Sequence, residues 1–138
     1  MIDTFELNFP ARPELLFMAR LQVGAAASLA DMPIEDIEDL HLAVEELCLS
    51  VLGASHTEGG RLSLSICLEV DSIEVSCNLT GGHLRDPAAS AESASTGLTG
   101  VLEYTKAFST QILDSLVDDH GIAQTNGTST AWLKKKLP

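Results

Sequence analysis

The sequence is short of positive charge. Its 138 residues include 8 lysines and arginines against 20 aspartates and glutamates, a formal net charge of −12 at pH 7. Surfaces that bind nucleic acid or anionic membranes are basic, so this balance argues against both. It suits a basic protein partner instead. The one basic run, Lys134–Lys136, is predicted to be a solvated tail, with an electrostatic contact as the alternative.

Long apolar runs, paired cysteines and the common catalytic motifs are lacking as well. The most apolar segment, Leu15–Ala30, is interrupted by Arg20, so no bilayer-spanning helix is predicted. Three cysteines (Cys48, Cys67 and Cys77) without C-x-x-C spacing predict a reducing compartment, the cytoplasm, and no structural zinc. The four histidines have no metal-ligand spacing, and no H-E-x-x-H, P-loop or G-x-S-x-G motif occurs.

Apolar residues make up 45% of the chain, which predicts one packed domain over residues 1–138. Phe5–Phe9 alternates between apolar and polar side chains and predicts a first strand. A helical pattern begins at Glu14 and fades near Leu29.

A second helix, Pro33–Ala54, has the clearest amphipathic pattern. Pro33 suits a first helical turn, and the acidic residues after it complement the helix dipole. At 100° per residue one side of this helix is apolar and comprises Ile37, Leu40, Val44, Leu47, Cys48 and Val51. Asp39, Glu46 and Ser50 fall on the other side, near Ala43.

A hairpin follows the second helix. Apolar residues alternate with polar ones from Leu62 to Val70 and again from Ile73 to Leu79. A turn at Asp71-Ser72 would set Val70 opposite Ile73 and leave one face of the hairpin apolar. Cys67 then points away from Cys77, so no disulfide between them is expected.

The last elements complete the sheet. Residues 88–96 are rich in alanine and serine and are predicted to be mobile, and residues 97–107 suggest a short helix. Gln111–Asp119 predicts another helix, and strands are expected at Ile122–Thr125 and Thr128–Leu137, on either side of an Asn-Gly turn. The predicted fold is an α/β two-layer sandwich, a mixed and mostly antiparallel sheet with helices on one face.

The segment Leu40–Leu52 resembles the first box of the GHKL, or histidine-kinase-like, ATPases. The closest pattern, D-L-x-L-A-V-x-E-x-x-x-N, is that of RsbW/SpoIIAB-type anti-sigma factors. Glu46 matches the candidate general base, while Ser50 stands where the family has the asparagine that holds Mg²⁺. Residues i and i+4 face the same side of a helix, so both can address one ligand. Serine lacks the amide oxygen and is the poorer ligand.

The other two boxes are also degraded. Aligned on the D-x-G-x-G box, Asn78 replaces the adenine-reading aspartate and Gly82 is the glycine that stays in register. An ordinary strand end before a Gly-Gly loop is the alternative. For the phosphate loop, residues 97–100 and 108–110 compete, and the second placement has no glycine to admit a phosphate.

The resemblance implies the histidine-kinase-like (Bergerat) fold and a protein that binds a sigma factor, often as a dimer, and is released by an anti-anti-sigma (STAS-type) partner. ATP and Mg²⁺ are implied only where the boxes survive. Arg20 stands where the family usually has an arginine and is a candidate partner contact, with a solvated face as the alternative. Two rival functions are a serine kinase acting on the anti-anti-sigma protein, and an unrelated α/β binding module.

Overall fold

The computed structural model describes residues 3–54, 57–81, 83–84, 110–125 and 128–138. Within them a five-stranded sheet has the order β1-β3-β4-β7-β6, and each neighbouring pair is antiparallel. Its strands are β1 (Asp3–Pro10), β3 (Arg61–Leu68), β4 (Ser72–Thr80), β6 (Asp119–Thr125) and β7 (Thr128–Lys136). A separate two-stranded ladder joins β2 (Thr57–Glu58) to β5 (His83–Leu84).

Helices cover one face of this sheet. A 3₁₀ turn, Pro13–Leu15, leads into α1 (Leu16–Leu29), which is followed by α2 (Ile34–Ala54). A further helix spans residues 110–116. The α/β sandwich predicted from the sequence is confirmed, although the described strands pair only antiparallel and do not form the mixed sheet that was expected.

A tight turn reverses the chain between α1 and α2. Asp31 has a φ of 55°, the Asp31 amide donates to the Ser28 carbonyl, and the Met32 amide donates to the Ala27 carbonyl. These two bonds form a Schellman motif and satisfy carbonyls that the end of a helix leaves open. The side chain of Met32 is buried, as the hydrophobic contact of that motif requires. The turn lets α2 run back along α1.

The core lies between the helices and the inner face of the sheet. α2 contributes Leu40, Ala43, Val44, Leu47, Cys48 and Val51, each fully buried. β3 and β4 contribute the alternating residues Leu62, Leu64, Ile66, Leu68, Ile73, Val75, Cys77 and Leu79. Ala43 borders the side of α2 that carries Asp39, Glu46 and Ser50, as predicted, and it is fully buried.

The hairpin forms on the predicted face but in a different register. The structure pairs Leu68 with Ile73, two residues away from the expected pairing of Val70 with Ile73. The Glu69 amide donates to the Ser72 carbonyl at 2.8 Å, so the turn is centred on Val70 and Asp71. Because side chains alternate with a period of two, a shift of two residues keeps the strand residues on their predicted faces, while Val70 moves into the turn and is 80% exposed.

The basic run is not a solvated tail, contrary to the prediction. Lys134–Lys136 forms the end of β7. Lys134 stands opposite Glu74 in β4 and Asp119 in β6. The Lys135 ammonium donates to the Leu116 carbonyl at 2.8 Å, at the end of the 110–116 helix. The ammonium of Lys135 thus lies at a helix C-terminus, where a cation is favourable.

Two other boundaries differ from the predictions. The helix expected at Gln111–Asp119 ends at residue 116, and β6 begins at Asp119 instead of Ile122. The predicted mobile segment 88–96 and the short helix 97–107 lie outside the described residues. No helix in the described part of the chain is long and apolar enough to cross a bilayer.

Candidate functional site

Glu46 and Ser50 lie one turn apart on α2 and share one strip of its surface. Both side chains are half-buried. The strip lies between the core-facing side of α2 and an exposed side that carries Leu42 and Leu49. The Ser50 hydroxyl donates to the Glu46 carbonyl at 2.9 Å. The serine at the predicted metal-ligand position therefore donates its hydroxyl proton to its own helix.

Asn78 does not face this strip. In β4 it stands opposite Ser63 and Thr130, on the outer, polar face of the sheet. Its neighbour Leu79 is 8% exposed and belongs to the core on the helical side. The sheet therefore separates the side chains of Asn78 and Glu46. The last inward-facing residue of β4 before the glycine loop is an aliphatic one.

The glycine loop after β4 packs tightly on the turn before β3. Gly81 has a φ of 70° and Gly60 a φ of 89°, conformations that favour glycine. A Cβ on Gly60 would stand 2.9 Å from the Thr80 carbonyl oxygen, so that position has no room for a side chain. The β2–β5 ladder continues this contact by pairing Glu58 with His83. Gly82 itself, the glycine predicted to stay in register, lies outside the described residues.

Residues 97–100 and 108–109 lie outside the described residues, and the described part resumes at Thr110, the first residue of the 110–116 helix. After this helix, the imidazole of His120 in β6 lies 2.6 Å from the Asp114 carboxylate and ties the helix to the sheet.

Arg20 lies in the seam between α1 and α2. Its guanidinium is 3.9 Å from the Glu45 carboxylate, and the two side chains are 44% and 41% exposed. A surface pair of this kind contributes about 0 to 1 kcal/mol to stability. It leaves both groups accessible to a partner.

His41 packs in the same seam, against the backbone of Gly24. Burial lowers the pKa of His41 below its ordinary value, the nearby Arg20 lowers it further, and Glu38 partly opposes them. The side chain of His41 is half-buried.

The sequence analysis missed a contact between two buried thiols. The pKa of Cys48 is raised well above its ordinary value, first by a hydrogen bond with the side chain of Cys77 and then by burial. Both cysteines lie on the apolar sides of their elements, which was the available signal. All three cysteines are free, and Cys67 is half-exposed on the outer face of the sheet, as predicted.

Among the described residues, no group of three or more His, Cys, Asp or Glu side chains converges in a way that could hold a metal ion. Mg²⁺ prefers several oxygen ligands and keeps part of its water shell when phosphates supply the rest. The strip on α2 offers a carboxylate, Glu46, and a hydroxyl, Ser50, where the resemblance calls for a carboxylate and an amide.

No protein-family model matches the chain. The serine-protein kinase RsbW of Halalkalibacterium halodurans is 36% identical over 73 residues, which are 53% of this chain and 45% of that protein. The protein of the same name from Bacillus velezensis is 32% identical over 76 residues, 54% of this chain and 48% of that protein. In these two matches the chain spans about half the length of the curated relative.

The serine-protein kinase RsbW of Listeria monocytogenes serovar 1/2a matches over a longer stretch. It is 26% identical over 138 residues, 97% of this chain and 88% of that protein. The similarity therefore extends from the first helix through the last strand.

Proposed function

We propose that this chain, which is similar to serine-protein kinases named RsbW as the pattern of α2 predicted, is an anti-sigma factor whose ATP binding is impaired or lost. It sequesters a sigma factor in the cytoplasm through surface complementarity and is released by an anti-anti-sigma protein of the STAS type. It does not touch nucleic acid or membrane directly. Its net charge of −12 supports this role. A sigma factor binds DNA and therefore carries basic surfaces, which an acidic protein complements.

The main support for impaired nucleotide binding is that Leu79 is the inward-facing residue at the end of β4. A nucleotide held beside Glu46 would lie on the helical side of the sheet, where Leu79 offers its adenine no hydrogen-bond acceptor. Asn78 carries an acceptor but is on the other face. Asn78, Ser50 and Gly82 as nucleotide contacts, and Arg20 as a partner contact, stay predictions.

The direct test is binding of the purified chain to the sigma factors of its host, each immobilised in turn. Retention of one of them, and its release by a STAS-type protein, is the expected result. Failure to retain any of them would overturn the anti-sigma assignment.

A serine kinase acting on the anti-anti-sigma protein is the second candidate. The names of the relatives and the presence of Glu46 favour it. When bound, Mg-ATP would supply the phosphoryl group, and Glu46 is the candidate base for the proton of the substrate serine.

Calorimetry with Mg-ATP separates the two functions. A kinase is expected to bind in the micromolar range and to lose this affinity in Glu46→Ala, whereas the proposed inhibitor gives no heat at millimolar ATP. If the wild-type chain binds ATP, Asn78→Ala tests the box alignment: lost affinity would support Asn78 as a nucleotide contact, and an unchanged titration would count against it.

A further inference from the structure

The outer surface of the α1–α2 pair is unusually apolar. Nine large hydrophobic residues of the described part are exposed, and seven of them belong to these two helices. Four of the seven form what we call the outer helical patch, comprising Phe17 (45% exposed), Leu21 (60%), Leu42 (55%) and Leu49 (43%). Single exposed apolar residues are ordinary on a protein surface, but a cluster usually marks an interaction site.

The packing of the two helices brings these side chains to one seam. The Arg20–Glu45 pair and the contact of His41 with Gly24 fix α1 and α2 as antiparallel neighbours. Phe17 and Leu21 flank Arg20 on α1. Leu42 and Leu49 flank Glu45 on α2. The two leucines are seven residues apart, so they lie on one line about 10 Å long, two turns of the helix.

The charge around the patch is acidic. Arg20 is the one lysine or arginine in the sequence of α1 and α2, while α2 contains six acidic residues, namely Glu35, Asp36, Glu38, Asp39, Glu45 and Glu46. Glu35 and Glu38 are exposed near the start of α2. An apolar line with an acidic border is complementary to an amphipathic helix with a basic border.

We propose that the outer helical patch docks a basic amphipathic helix of the sigma factor, with Leu42 and Leu49 as the apolar anchors. This rests on the proposed function, which calls for a partner that binds DNA and therefore carries basic surfaces. A helix fits because the seam between two helices is a shallow groove. Leu42 and Leu49 are two helical turns apart, and the apolar residues on one face of a partner helix recur with the same spacing.

The experiment compares sigma-factor binding by the wild-type chain with binding by Leu42→Gln, by Leu49→Gln and by the double variant, using surface plasmon resonance. Both leucines are exposed, so these substitutions leave the core intact, and circular dichroism checks the fold. Val70→Gln is the matched control, because Val70 is 80% exposed in the β3–β4 turn, outside the helices. We expect each single variant to raise Kd about tenfold, as loss of a buried apolar anchor does, and the control to stay within about twofold.

A charge variant tests the nature of the partner. Glu38→Lys is expected to slow association and to weaken its dependence on salt concentration, because charges at the rim act on the association rate. An unchanged rate constant in this variant would overturn the basic character of the docked helix.

The outcomes separate this inference from the function on which it rests. If the wild-type chain binds no sigma factor, the proposed function fails. If the wild-type chain binds and the folded leucine variants bind equally well, the docking surface is wrong while the function stands. The patch could also bind a second copy of this chain, and light scattering of the free protein tests this. A wild-type dimer that Leu42→Gln converts to monomers would assign the patch to dimerisation and would overturn the proposal.

Discussion

The imidazole of His41 occupies the space that a Cβ atom on Gly24 would fill. Gly24 is buried in the middle of α1, where glycine costs about 1 kcal/mol relative to alanine. The structure accounts for this residue by the close approach of α2. The glycine and the histidine are therefore expected to be coupled in stability.

A double-mutant cycle measures this coupling. In the His41→Ala background, Gly24→Ala is expected to raise the free energy of unfolding by about 1 kcal/mol, because the helix gains propensity and meets no imidazole. In the wild-type background the same change gains less or is destabilising, because the ring must move. Urea denaturation gives both values, and equal effects in the two backgrounds would contradict the contact.

The lowered pKa of His41 makes a prediction about pH. The unfolded chain binds a proton at this residue more readily than the folded chain does, so protonation favours unfolding. The contribution of His41 to stability is therefore complete above the ordinary pKa of histidine and declines as the pH falls below it. We expect Tm to decrease more between pH 7.5 and pH 5.5 in the wild-type chain than in His41→Asn. The comparison cancels the titration of the other groups, and parallel pH profiles would show that His41 is not responsible.

Trp132 reports on the outer face of the sheet, because it is the one tryptophan in the sequence. Its indole lies over Gly121 of the neighbouring strand, where a Cβ would stand 2.9 Å from Nε1. Gly121→Ala is expected to displace the ring towards water, shift its fluorescence emission to longer wavelength and reduce stability by about 1 kcal/mol. Ala123→Thr, on the same strand and face, should leave the emission unchanged. A red shift in both variants would point to a general loosening of β6 instead.

The three cysteines are expected to differ in reactivity. Cys67 is half-exposed on the outer face of the sheet, while Cys48 and Cys77 are buried, and the raised pKa of Cys48 disfavours its thiolate. Iodoacetamide added to the native chain should therefore modify Cys67 first, as mass spectrometry of the peptides would reveal. The unfolded chain, with all three thiols labelled, is the control. Labelling of Cys48 as fast as Cys67 would contradict the buried contact with Cys77.

The sequence was sufficient for the elements with strong periodicity. The apolar residues of α2 recur along one side over about four turns, and their burial follows from that pattern alone. The faces of β3 and β4 were also predictable, because alternation survives an error of two residues in the register. Glu46 and Ser50 share a strip because their spacing on a helix is fixed by geometry.

Other features depended on information that lies outside each segment. Ala43 gave no strong signal, since a methyl group suits a core or a surface, and the opposing sheet decided its burial. The face of Asn78 could have been predicted, because it lies between the buried Cys77 and Leu79 and alternation assigns it to the polar face. The spacing of the glycines instead aligned Asn78 with the adenine-reading aspartate. The position of Arg20 beside Glu45 needed the packing of two helices, which neither helix encodes alone.

The position of β7 in the sheet has a consequence for how the chain folds. This strand comes last among the described elements, yet it lies in the interior of the sheet, between β4 and β6. Until residues 128–136 are available, β6 has no neighbour and β4 has an open edge. Pairing of β4 with β7 joins segments about fifty residues apart, and such long loops must close before the contact stabilises anything. The sheet therefore cannot be completed while β7 is still inside the ribosome, and the inner surface that receives Leu133 stays open until that strand arrives.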